Sequence, residues 1–220
     1  MKRILIVEGN ADVFFFDALK RVFDIKDLEV SPPASVTRHN GKFHAINCLG
    51  IYTKQLLDRS IDRLGLVVDA DTPLENQVRG LSVTLQRIDK QLSQYNFQRS
   101  SLKGGGYVYT AKTNIGIFEI GVWVMPDSQS DGSLETFVQK QIPKGSTQEL
   151  LFNEAQKIVS KLKNPLFDLA SHSLKAEVST WLAWQKYPGK GVQSVVGDTL
   201  IDLHDGIAGN LKNWMKKTFP

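Results

Sequence analysis

Ile4-Leu5-Ile6-Val7 is an uninterrupted apolar run that ends on Glu8-Gly9, and a second run, Leu66-Val67-Val68, ends on Asp69-Ala70-Asp71. Strands that are apolar on both faces belong inside a sheet covered by helices on both sides, so these runs point to an open parallel α/β sheet. Ligands of such sheets gather in the crevice outside the C-terminal strand ends. Carboxylates brought to that edge by two strands make it a place for a divalent cation.

The chain around these runs alternates between the two periodicities. Residues 3–7 read as the first strand, Asn10 as the N-cap of a helix, and Val13, Phe14, Leu19, Val22 and Phe23 as its apolar stripe. Residues 28–30 form a second strand stopped by Pro32-Pro33, and residues 35–42 are polar and turn-rich. Ala45, Leu49, Tyr52, Leu56 and Leu57 mark a helix ending near Ser60, followed by a third strand over 63–68. Thr72-Pro73 starts the next helix, whose buried face is Val78, Leu81, Leu85, Ile88 and Leu92. Gly104-Gly105-Gly106 is a turn, residues 107–124 hold one or two strands, and the last strand covers 118–125. Helical patterns then occupy 134–141, 147–162, 174–186 and 206–219. The expected fold is α/β with a mostly parallel central sheet flanked by helices. The expected organisation is a single domain over 1–220, with its core at about 1–140 and a helical C-terminal part at about 145–220.

Composition narrows the function classes. A chain of 220 residues that is 41% hydrophobic has enough apolar side chains for a sizeable core. The formal charge of +4 is compatible with a polyanionic partner without requiring one. All arginines lie between Arg3 and Arg99, so any bidentate phosphate contacts come from the first half. Cys48 is the single cysteine, which excludes an intramolecular disulfide and a Cys-based zinc cluster and fits a reducing cytoplasm. Met1-Lys2-Arg3 precedes apolar residues, but Glu8, Asn10 and Asp12 interrupt them before a signal peptide can form. No stretch is long and apolar enough for a membrane span, and the expected location is the cytoplasm, with no membrane partner.

Three strand ends carry acids: Glu8 with Asp12, Asp69 with Asp71, and Asp127 with Asp131 and Glu135. Placed together, they would repel one another unless a cation neutralised them, and an all-oxygen ligand set suits Mg²⁺ or Mn²⁺. In extended backbone Asp69 and Asp71 point to the same side and Ala70 to the other. The competing use of such acids is structural: Asp12 at a helix start, Asp127 in a Pro126-Asp127-Ser128 turn, Glu135 on an exposed helix face.

Val7-Glu8-Gly9 with Asp12, then Val68-Asp69-Ala70-Asp71, resembles the Toprim domain of primases, type IA and type II topoisomerases, small RNA-maturation nucleases and the overcoming-lysogenization-defect nucleases. The likeness spans about the first 140 residues. It is nearest to small stand-alone Toprim-like proteins of bacteria, whose third acidic segment reads like Pro126-Asp127-Ser128 through Asp131-Gly132-Ser133-Leu134-Glu135. The resemblance implies a Toprim-like sheet, Glu8 as metal ligand or general acid/base, and Asp69 and Asp71 as Mg²⁺ ligands. It further implies Asp131 and Glu135 as acids for a second ion, although Gly132-Ser133 alters their spacing. Lys175, in Ser173-Leu174-Lys175-Ala176, is similar to the lysine those nucleases place near the metals. The implied activity is Mg²⁺-dependent hydrolysis of a phosphodiester in DNA or RNA. The alternative is a non-enzymatic metal- or nucleotide-binding module that partners a repair or defence complex.

Weaker signals read as structure. Gly104-Gly105-Gly106 lacks the Gly-Lys-Ser/Thr of a phosphate loop. His39, His44, His172 and His204 have no zinc spacing, and His39 and Lys42 sit in a polar segment that either stays an ordinary loop or touches phosphate. Trp181 and Trp184 stand at helical spacing, as core packing does, and Lys186-Tyr187-Pro188-Gly189-Lys190 is a basic, aromatic helix stop. Lys212, Lys216 and Lys217 form a solvated C-terminal face.

Overall fold

The computed structural model describes residues 2–33, 41–73 and 79–220. Its centre is a six-stranded sheet in the order β2-β1-β3-β6-β5-β4. The strands are β1 (Arg3–Ile6), β2 (Leu28–Ser31), β3 (Arg63–Asp69), β4 (Gln98–Ser101), β5 (Tyr107–Thr113) and β6 (Gly116–Met125). β2, β1, β3 and β6 run parallel, while β5 and β4 are antiparallel additions at one side. The fold is therefore mixed α/β with a mostly parallel sheet flanked by helices.

The helices are α1 (Asn10–Val22), α2 (Lys42–Leu57), α3 (Leu81–Ser93), α4 (Leu134–Gln141), α5 (Thr147–Ser160), α6 (Leu169–Ala183), α7 (Ser194–Gly197) and α8 (Gly206–Thr218). Alternating side chains of the buried strands feed two cores, as the two-residue period of a strand requires. Leu5, Val7, Val67 and Trp123 pack with α1 and with α4 through α8, whereas Ile4, Ile6, Leu66 and Val68 pack with α2 and α3. The C-terminal helices thus share the core that α1 covers. Gly65 and Gly121 let the end of α8 lie on the sheet, since a Cβ at either would collide with Phe219 or Thr218. Among the described residues no helix is long and apolar enough to cross a membrane.

Several boundaries differ from the sequence reading for identifiable reasons. Gly9, not Asn10, caps α1, and the Asp12 carboxylate accepts from the Gly9 N–H at 3.0 Å. The buried face of α1 is Phe15, Phe16 and Leu19, whereas Phe14 and Val22 face solvent. α3 starts at Leu81 behind Gly80, whose φ of 109° is accessible to glycine, and not at Thr72-Pro73. Residues 74–78, with Val78, and most of the polar segment 35–42, with His39, lie outside the described residues. α6 begins at Leu169, ahead of the expected residue 174, because Asp168 accepts from the Ala170 N–H at 2.8 Å. β4 is exposed and polar along its whole length and has no hydrophobic pattern, and α7 spans four residues, too few for a period to show.

Candidate functional site

Parallel register sets the geometry of the site. Ile6 pairs with Leu66 across β1 and β3, and Asp69 pairs with Met125 across β3 and β6, so all three strands release their chains at one edge. Glu8 and Asp69 meet there: the Asp69 backbone N–H donates to Glu8 Oε1 at 2.7 Å. Asp69 Oδ1 in turn accepts the Leu134 N–H at 3.0 Å, which ties the start of α4 to the end of β3. Asp12 comes one turn into α1, and Glu135 sits in the first turn of α4, where the Ser133 hydroxyl donates to its Oε2 at 2.8 Å. Lys175 reaches in from α6, with Nζ 4.0 Å from Glu135 Oε1.

Crowding and burial leave Glu8, Asp69 and Asp12 reluctant to ionise. Burial, only partly offset by the Asp69 N–H and reinforced by the Asp12 charge, pushes Glu8 up from 4.5 to about 7. Asp69 is held well above the usual carboxylate range by burial and then by the charges of Glu8, Asp12 and Glu135. Asp12 is raised by burial and by Glu135, against the pull of the Gly9 N–H. A cation in the recess would relieve all three. Among the described residues, however, no three His, Cys, Asp or Glu side chains are already gathered as a metal-ligand set. The donor chemistry is that of Mg²⁺ or Mn²⁺, and an ion would have to draw the carboxylates closer together.

The remaining expected site residues are used differently. β3 stops at Asp69, and Asp71 takes a left-handed conformation (φ 62°) with its backbone paired to Gly132. Its carboxylate accepts from Lys42 Nζ at 2.5 Å, while the same ammonium donates to the Ala70 carbonyl at 3.0 Å. Asp71 still borders the cavity that Asp69 and Glu135 line. Asp131 Oδ1 accepts the Leu81 N–H at 2.6 Å at the start of α3. Asp127 closes its own turn, accepting from the Gln129 and Ser130 N–H groups at 3.0 and 2.8 Å and from Lys140 at 3.0 Å. Burial alone would raise Asp127, but those donors outweigh it and hold the carboxyl below its usual range. The recess therefore brings together Glu8, Asp12, Asp69, Glu135 and Lys175, with Asp71 at its side and Asp127 and Asp131 committed to backbone.

A family model described as protein of unknown function (DUF3226) matches residues 2–220. The chain belongs to that family. It has no significant match among curated proteins or among solved structures. For this DUF3226 chain the geometry adds Lys42, which lies in α2 and not in a polar loop. Lys42 is 7% exposed and occupies the first turn of α2, where the helix dipole disfavours a cation. That misplaced charge was the signal available in the sequence, and Asp71 explains it. Arg79 and His172 also line the cavity beside Asp69, and neither stands in a motif that would mark it.

Proposed function

We infer that the chain is a divalent-metal-dependent phosphodiesterase of nucleic acid, built on a Toprim-like form of the parallel α/β sheet and working in the cytoplasm. The observation that carries this reading is the 2.7 Å contact of Glu8 with the Asp69 backbone, in a recess shared with Asp12 and Glu135 at the C-terminal edge of neighbouring parallel strands. Glu8, Asp12 and Asp69 are partly buried and repel one another while each accepts a backbone N–H, and a cation among them would relieve that repulsion. Glu8, Asp12, Asp69 and Glu135 would hold Mg²⁺ or Mn²⁺, with Asp71 joining when Lys42 releases it. When bound, the ion supplies positive charge to phosphate oxygens and acidity to a water.

The chain's own groups complete the chemistry. Lys175 presents an exposed ammonium at the recess, suited to charge that builds on a non-bridging phosphate oxygen. Glu8 stands where a carboxylate can take a proton from an attacking water. The first turns of α1 and α4 aim their positive ends at the same place and favour an anion there.

The test compares wild type with Glu8→Gln, Asp69→Asn and Lys175→Met for cleavage of labelled DNA and RNA in Mg²⁺ or Mn²⁺, beside calorimetric ion binding. Loss of cleavage in the first two variants is the expected result. Cleavage unchanged in both would overturn the site. Ion binding without turnover by the wild type would instead support a metal-binding module in a larger assembly.

A further inference from the structure

Two cavities open from the recess, one on each side of Lys175, and their walls differ in chemistry. One, of about 420 Å³, leads from Asp69 and Asp71 towards Arg79, Ser171 and His172. The other, of about 390 Å³, leads from Glu8 and Asp12 along α6 and is walled by Ala11, Val178, Leu182, Ala183 and Val192. Asp69, Glu135 and Lys175 line both, so the two are halves of one cleft that meets at the carboxylates. Each half has the volume of a small-ligand pocket.

We propose that the apolar half is a nucleobase subsite, that the polar half holds the adjoining phosphate through Arg79, and that the ligand of the cleft is single-stranded nucleic acid. This inference rests on the phosphodiesterase reading. A phosphate held at Lys175 has its nucleoside one sugar away, within reach of either half. Ser179 and Lys190 also line this half, but its alanine, valine and leucine side chains offer the flat face of a base an apolar surface. A base inside a duplex is stacked and paired and cannot enter a side cavity without being flipped out, whereas an unpaired base enters at little cost. Arginine suits the neighbouring phosphate because its planar fork donates two hydrogen bonds at once.

The chain beyond the apolar half continues the same theme. Ala183 is followed by Trp184 and Tyr187, both exposed, and the ammonium groups of Lys186 and Lys190 lie 5.3 and 4.6 Å from the Tyr187 ring. Exposed aromatics interleaved with cations form the kind of surface along which single strands stack their bases and rest their backbone.

The experiment measures binding of the full chain by fluorescence anisotropy, with Ca²⁺ replacing Mg²⁺. The probes are a single-stranded oligonucleotide, the blunt duplex of the same sequence, and an abasic single strand of equal length. The single strand is expected to bind at least about tenfold more tightly than the duplex and than the abasic strand. Ala183→Phe fills the apolar half from an exposed position and should weaken single-strand binding about tenfold while leaving abasic binding unchanged. Ser179→Phe, also exposed and on the same wall, gives the same result if the cavity is the subsite. Duplex binding equal to or tighter than single-strand binding overturns the inference, as does indifference to both wall substitutions. Single-strand preference in a wild type that cleaves nothing would uphold the base subsite and remove only the phosphodiesterase reading. Duplex cleavage without that preference would do the reverse.

Discussion

The ends of β1 and β3 on one side, and the turn after β6 on the other, present acids that look alike in sequence and behave in opposite ways in the fold. Glu8 and Asp69 are lifted above their usual range because burial and neighbouring carboxylates disfavour their charge. Asp127 is lowered, because four donors from Gln129, Ser130 and Lys140 outweigh its burial. An acid satisfied by the protein's own donors has been spent on structure. Glu8 and Asp69 each accept a backbone N–H as well, but one such donor does not offset burial and repulsion, and raised carboxylates beside a cleft mark candidate functional groups.

The largest expected effect comes from removing charge at each place without removing shape. Glu8→Gln and Asp69→Asn should lower metal-dependent cleavage by about a thousandfold or more, whereas Asp127→Asn should stay within about twofold. Turnover by wild type and the three variants on one labelled substrate reads the difference. Equal losses at all three positions would erase the distinction.

Stability against pH in the presence of EDTA is the next test. Between 4.5 and about 7 folded Glu8 keeps a proton that the unfolded chain has released, so folding stability falls as pH rises through that window. The fall from this group is about 3 kcal/mol at most, and it should vanish in Glu8→Gln and be reversed by Mg²⁺ at pH 8. Urea unfolding at pH 5 and pH 8 measures it, and an identical slope in the variant would remove Glu8 as its source.

Lys42 sits between the two behaviours, a structural donor inside the candidate site. Lys42→Met leaves Asp71 without its partner and should cost about 1–3 kcal/mol, less than a fully enclosed pair because Asp71 is 35% exposed. Adding Asp71→Asn should restore part of that loss, and a double-mutant cycle gives the coupling. The smallest effect is expected at Asp131→Ala, which removes the acceptor at the start of α3 and should cost about 1 kcal/mol in urea unfolding with cleavage unchanged.

Much of the fold was legible because burial on both faces writes a continuous apolar run, as in β1 and β3, and burial on one face writes a helical stripe, as in α2. β4 was not legible, since Gln98–Ser101 contributes hydrogen bonds at a sheet edge and no apolar surface. The start of α3 was misread because Pro73 looks like a first helical residue, while the helix begins where Gly80 turns and Asp131 supplies an acceptor. The pairing of Asp69 with Asp71 was misread in detail, since two-residue alternation holds only while the backbone stays extended, and it leaves that state at Asp71.

The two buried strands, the acids at their ends and hence the sheet edge at which those acids emerge are all written in the order of residues. These follow from chain direction and from the solvation of consecutive side chains. Which acids face the cleft was decided only by tertiary structure. The donors that claim Asp71, Asp69 and Asp131 lie 29, 65 and 50 residues away along the chain, at Lys42, Leu134 and Leu81. How far each carboxylate is satisfied depends on those distant partners, and no local pattern records them.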